Sequence, residues 1–305
     1  GSAMYLETFC QPVEQEDRLL DERMFYNGGI YGYVDNVYPC GLFRRLGRGE
    51  LRFGRVTIFY GGNGSGKSTL LNLIAQRLGL QRSAPCNSGE MFAAYAAACR
   101  YETGCDEDGA PLRIPDGSRI LTSDDVFDYM LAVRANNDEI LQEREKGRDV
   151  WAEQKYGSTV KMNGLEDYEA LRLQVLARSR SMTRRKFLRA TAGQEARLAS
   201  NGETALQYFE ARLESDRLYC LDEPENSMSP RLQLELAGLL GELSRYCGCQ
   251  LILATHSPFL LAMENARIYD LDHDPVTVRS WWELENTRTY YEFFKQHQAL
   301  FEAGI

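Results

Sequence analysis

Five β-branched or aromatic residues, Val56-Thr57-Ile58-Phe59-Tyr60, lead straight into Gly61-Gly62-Asn63-Gly64-Ser65-Gly66-Lys67-Ser68-Thr69. After them, Leu70-Leu71-Asn72-Leu73-Ile74-Ala75 repeats at helical spacing until Gly79. A buried strand, a glycine turn and a helix in that order constrain the fold more than any other feature of the chain. Glycines let the backbone double back with its amides turned inward, and the helix N-terminus adds its dipole, so the junction is an anion cradle. Gly61-x-x-x-x-Gly66-Lys67-Ser68 has the P-loop spacing. Lys67 then supplies a point charge for the β- and γ-phosphates of a nucleotide, and Ser68 a hydroxyl for Mg²⁺.

Further along, strand and helix patterns alternate again. Leu218–Leu221 and Gln250–Thr255 read as buried strands, Pro230–Leu243 as an amphipathic helix, and Arg267–Leu271 and Val276–Ser280 as further strands. Thr289–Phe301 reads as an aromatic-rich terminal helix. Between the halves the composition shifts to charged, helix-favouring segments such as Ser123–Arg134, Asp138–Gln154 and Tyr168–Arg197, with an acidic loop at Glu102–Asp108. The expected organisation is one domain over 1–305. It divides into N-terminal strands, loop and first helix (1–80), a helical insertion (81–200), and a C-terminal part (201–305). A chain of 305 residues that is 44% hydrophobic can bury such a core.

Leu218-Tyr219-Cys220-Leu221 runs into Asp222-Glu223, followed by Pro224. A strand emerging from the core at that point presents two carboxylates near the loop. Asp222 would help hold Mg²⁺, and Glu223 would orient and polarise an attacking water. Ala254-Thr255-His256-Ser257-Pro258 ends the next apolar run, and His256 is one of only three histidines, with His273 and His297.

Ala199-Ser200-Asn201-Gly202-Glu203 lies ahead of the carboxylates, with Ser200 22 residues before Asp222. On its own this is also a capping box, Ser200 as N-cap and Glu203 three residues on, and the two readings are compatible. With the other three motifs it resembles the signature of ABC-type ATPases, with Asn201 for the usual Gly and Glu203 for the usual Gln. Asp222-Glu223-Pro224-Glu225-Asn226 followed by Ser229-Pro230, and Thr255-His256-Ser257-Pro258-Phe259-Leu260-Leu261, are similar to the stand-alone members of that group often labelled AAA-family ATP-binding proteins, relatives of SMC and RecF heads. The resemblance implies an α/β P-loop NTPase fold of ABC-ATPase type, with a mixed sheet, a β-rich N-terminal part and a helical insertion. It also implies Mg²⁺-dependent ATP hydrolysis by two copies that sandwich ATP head to tail. Lys67, Glu223 and His256 would be catalytic, Ser68 and Asp222 would hold the metal, and Gly61 to Thr69 would bind the nucleotide. Ser200, Asn201, Gly202 and Glu203 would face the nucleotide held by the partner copy.

Two family features are missing. No glutamine marks the loop that would couple the metal to the helical segment; Ile120-Leu121-Thr122-Ser123-Asp124 occupies that place, with Ser123 or Asp124 as the stand-in. No motif places an aromatic against adenine, which leaves Tyr38 and Phe43 as candidates no better than core aromatics.

The net charge of −9 advertises no overall affinity for nucleic acid. Yet Arg172, Arg178, Arg180, Arg184, Arg185, Lys186, Arg189 and Arg197 crowd together, offset only by Glu195. Such a stretch binds nucleic acid, contacts an acidic partner, or is a solvated face. No apolar run reaches the roughly 20 residues that cross a membrane, and no secretory signal is visible; Gly1-Ser2-Ala3 before Met4 is set aside as a tag remnant. Eight cysteines without zinc spacing read as reduced thiols, so the expected compartment is the cytoplasm. The expected role is an ATP-driven switch in a DNA, RNA or defence process. The alternatives are a transporter's ATPase subunit and an ATP-gated interaction module.

Overall fold

A computed structural model describes residues 4–12, 50–83, 90–136 and 201–304. The chain divides into two compact units, Gly1–Val126 with Asn201–Ile305, and Phe127–Ser200. In the second unit the described residues, 127–136, are helical. The basic stretch, Ser200, Tyr38 and Phe43 lie outside the described residues, as do the patterns at Asp138–Gln154 and Tyr168–Arg197.

Among the described residues, the first unit is built on a six-stranded sheet. Its strands are β3 (Val56–Tyr60), β5 (Arg119–Leu121), β6 (Leu218–Asp222), β7 (Gln250–Ala254), β8 (Arg267–Asp270) and β9 (Thr277–Val278), in the order β5-β6-β7-β3-β8-β9. The first five pair in parallel and β9 joins antiparallel to β8, so the sheet is mixed. Every residue of β3 and β7 is buried, as parallel strands covered on both faces should be. The register sets Asp222 beside Ala254, Phe59 beside Ala254, and Tyr60 beside Asp270. The carboxyl ends of β3, β6, β7 and β8 therefore finish at one edge, and the residues after them emerge together.

Helix α1 (Lys67–Leu78) follows β3 and buries Leu70, Leu71, Leu73 and Ile74 completely, each worth roughly 2 kcal/mol. It ends at Gly79, whose φ of 67° closes the helix with its amide on Ala75 O and Gln76 O. Helix α2 (Glu90–Ala98) adds Phe92, Tyr95 and Ala96 to the same core. Helix α3 (Asn201–Arg212) buries Gly202, Ala205, Leu206 and Phe209 along one face. Helices α4 (Pro230–Tyr246) and α5 (Pro258–Leu261) both open on Ser-Pro, with Ser229 and Ser257 as N-caps and proline at the first helical position.

A second, antiparallel sheet has the order β2 (Glu50–Arg52), β1 (Thr8–Cys10), β4 (Arg100–Glu102). The fully buried Gln250 amide ties it to the main sheet: Oε1 accepts from Leu6 N at 2.8 Å, and Nε2 donates to Leu6 O at 2.7 Å and Gly54 O at 3.1 Å.

The stretch from residue 81, read from composition as mostly helical, supplies β4 to the small sheet and β5 to the edge of the main one. The acidic loop at Glu102–Asp108 is a turn in which Asp106 Oδ1 accepts from the amides of Asp108 and Ala110. The single terminal helix expected over Thr289–Phe301 is two, α6 (Glu285–Gln296) and α7 (Gln298–Ala303), broken at His297. No helix among the described residues is long and apolar enough to cross a membrane.

Candidate functional site

The loop between β3 and α1 turns on Gly64 (φ 82°) and Gly66 (φ 96°), a backbone region open chiefly to glycine. Gly61 is needed for a different reason: a Cβ there would stand 2.5 Å from Ser65 Oγ. Inside the loop, Ser65 N–H donates to Gly62 O at 3.2 Å. Among the described residues, the amides of Asn63, Gly64 and Gly66 find no acceptor, and the buried Ser65 hydroxyl finds no partner. Gly62, Asn63 and Gly64 are exposed, whereas Thr69 is buried under the loop.

Lys67 is 5% exposed and folds back along the loop, donating from Nζ to Gly61 O at 2.5 Å and Gly62 O at 3.1 Å. At the second residue of α1, the Ser68 hydroxyl donates to Asp222 Oδ1 at 3.0 Å. Two residues 154 positions apart in sequence thus meet at the sheet edge. Burial pushes the Asp222 carboxyl up to about 6; the Ser68 hydrogen bond opposes this, and the neighbouring Glu223 charge adds to it.

Glu223 leaves β6 with φ 45°, and its N–H donates to Ala254 O at 2.8 Å, which pins the turn to β7. Its carboxylate accepts from Asn226 Nδ2 at 3.3 Å. His256 leaves β7 alongside, with Nδ1 3.9 Å from Glu223 Oε1 and 3.9 Å from Glu225 Oε1.

The structure therefore gathers Lys67, Ser68, Asp222, Glu223 and His256 at the carboxyl ends of β3, β6 and β7, the edge where open α/β sheets hold their ligands. The residues fit MgATP. Orphaned amides, a buried ammonium with a further N–H and an unpartnered hydroxyl suit phosphate oxygens. A hydroxyl paired with a carboxylate is a hard oxygen set suited to Mg²⁺.

Asn201, Gly202 and Glu203 sit on α3. A Cβ on Gly202 would stand 2.6 Å from Leu232 Cδ1 and 3.0 Å from Ser227 O, so that glycine is required by packing against the turn after the carboxylates. At the place of the coupling glutamine, Thr122 and Asp125 cap the end of β5: Asp125 Oδ2 accepts from Thr122 N at 2.9 Å and from its hydroxyl at 3.0 Å. Ser123 and Asp124 lie between them in the first turn of the following helix.

Four residues escaped the sequence reading. Glu225 is 6% exposed and accepts at Oε1 from the Thr255 hydroxyl at 2.6 Å and from His256 N–H at 3.4 Å. Gln233 accepts from the Ser257 hydroxyl at 2.6 Å and donates to Met228 O at 3.0 Å. Asn286 donates from Nδ2 to His256 O at 3.2 Å, and its N–H donates to the Tyr60 hydroxyl at 3.0 Å. Asp272, just past β8, accepts from Gly62 N–H at 2.7 Å. Only Glu225 had a signal, as a third acid within four residues of Asp222.

A mixed, mainly parallel sheet carrying this loop, carboxylate pair and histidine along one edge defines an α/β P-loop NTPase of the ABC-ATPase type. Residues 110–262 match the family described as "AAA domain, putative AbiEii toxin, Type IV TA system", and the chain belongs to that family. The match covers Asp222, Glu223 and His256 and begins after the glycine loop. No curated protein matches the chain.

Among solved structures, the SMC head domain from Thermotoga maritima is 14% identical, with a TM-score of 0.36, covering 76% of this chain and 92% of that one. The Smc head of Pyrococcus furiosus with an extended coiled coil, bound to the C-terminal domain of ScpA, is 14% identical at TM-score 0.37, covering 81% and 95%. A dimeric ATP-binding cassette in a post-hydrolysis state with ADP and Pi is 15% identical at TM-score 0.33, covering 76% and 88%.

Proposed function

We propose that the chain is a magnesium-dependent ATP-binding and hydrolysing switch whose copies pair head to tail around ATP. The observation that carries this is the 3.0 Å bond from Ser68 to Asp222, formed beside the buried Lys67 where Glu223 and His256 leave their strands. Ser68 and Asp222 would hold Mg²⁺, which when bound neutralises charge on the phosphates. The loop amides and Lys67 bind and orient the β- and γ-phosphates. Glu223, on a turn fixed to β7, accepts a hydrogen bond from the attacking water, and His256 stands beside it at the γ-phosphate end. Asn201, Gly202 and Glu203, with Ser200, would face the nucleotide of the partner copy, where a helix N-terminus favours an anion.

The process served is, on this reading, one involving nucleic acid or defence. The basic residues from Arg178 to Arg189 support the first, and the family's own description, a putative toxin, supports the second. Phosphate release from ATP tests the core: it should require a divalent cation and disappear in Glu223→Gln. Release that persists in Glu223→Gln contradicts the assignment. For the wider role, DNA or RNA should bind in a salt-dependent way and stimulate turnover; no binding at low salt removes the nucleic-acid reading.

A further inference from the structure

Glu225 is more deeply buried than either carboxylate of the Asp222-Glu223 pair, yet it lies within reach of the site. Its Oε1 takes the Thr255 hydroxyl and the His256 amide, so it already fixes the backbone from which the histidine departs. Its Oε2 is buried with no hydrogen-bond partner among the described residues. A sealed carboxylate oxygen without a donor is costly, on the order of 1–3 kcal/mol, so it calls for a protein N–H or O–H. Burial pushes this carboxyl up, and the Thr255 bond opposes that.

The His256 imidazole stands beside this carboxylate. His256 Nδ1 is 3.9 Å from Glu223 Oε1 and 3.9 Å from Glu225 Oε1, the oxygen next to the unpartnered Oε2 of the same carboxylate, so a modest ring rotation decides which acid it meets. Glu223 is partly exposed, already accepts from Asn226, and has the water to hold. Glu225 is shielded from solvent and clamped by Thr255.

Resting on the ATPase reading, we propose that Glu225 is a positioning residue: it accepts the Nδ1–H of His256 and so fixes the neutral ring with Nε2 as its free lone pair. An isolated neutral imidazole carries its proton on either nitrogen, and the partner at one nitrogen sets the other.

Long-range ¹H–¹⁵N correlation spectra of the full chain labelled with ¹⁵N-histidine read this directly. The three histidines are few enough to resolve, and His256→Ala assigns the signal. Wild type should show His256 as the Nδ1–H tautomer, and the near-isosteric Glu225→Gln should shift it to Nε2–H. The variant should also bind MgATP within twofold of wild type while turning over at least tenfold more slowly. An Nε2–H tautomer in the wild type overturns the assignment even if Glu225→Gln does not fold, and so does an unchanged tautomer in a folded variant. If wild type fails to hydrolyse ATP, the ATPase reading falls, while the tautomer still judges Glu225.

Discussion

At the residue scale, Asp222 shows how the site is poised. Its carboxyl is pushed from an ordinary value of about 4 up to about 6 because it is buried and borders Glu223. A raised folded value means that the folded chain holds more protons than the unfolded one between those limits. Metal-free stability therefore falls as pH rises across that window, by about 3 kcal/mol. Glu225, raised for the same reason, adds to the slope. In EDTA, thermal melts of Asp222→Asn should lose part of this slope, and at pH 7.5 the variant should melt several degrees above wild type while losing Mg²⁺-dependent nucleotide binding. A lower melting temperature would mean that the Ser68 bond outweighs the burial of charge. Lys67 is the opposite case, a buried cation whose hydrogen bonds among the described residues go to its own loop carbonyls. Lys67→Ala should weaken MgATP binding about 10- to 100-fold, since hydrogen bonds to a charged group contribute about 1.5–3 kcal/mol; fluorescent-nucleotide titration checks it.

At the element scale, two contacts join pieces that the sequence keeps apart. The Gln250 side-chain amide bonds to Leu6 and Gly54, at the seam between the sheets. Gln250→Leu keeps the size but strands the Leu6 amide and two carbonyls, so chemical denaturation should show a loss of about 2–4 kcal/mol. Gly202→Ala drives a methyl into Leu232 and the Ser227 carbonyl, and should cost about 1–3 kcal/mol even without nucleotide. A stability unchanged by Gly202→Ala would leave that glycine explained by phosphate contact alone.

The same elements show what could be read in advance. Strands β3, β6 and β7 are continuous apolar runs, each ending in a motif, because strands buried on both faces have no polar alternation to obscure them. Strands β4 and β5 are three residues long, and Arg100–Glu102 is polar and mostly exposed; its pairing with Thr8–Cys10, far away in sequence, makes it a strand. No local pattern records such a partner. Asp272 and Asn286 were invisible for the same reason, since they meet Gly62 and Tyr60 across more than 200 residues. Glu225 was in plain view in the sequence, and only the folded chain distinguishes the buried acid from the exposed Asn226 beside it.

At the scale of the whole molecule, the parallel register lines up four strand ends and concentrates the chemistry there. Gly202 lies against the Ser227–Met228 turn, the same turn that Gln233 straps to Ser257 beside His256. A segment proposed to serve a partner's nucleotide is thus packed on the turn that follows the chain's own carboxylate pair. The most direct test of that central claim is light scattering after size exclusion on Glu223→Gln, in MgATP and in MgADP, with nucleotide binding verified. The account predicts a dimer in MgATP and a monomer in MgADP. The same mass in both, with ATP bound, would contradict it.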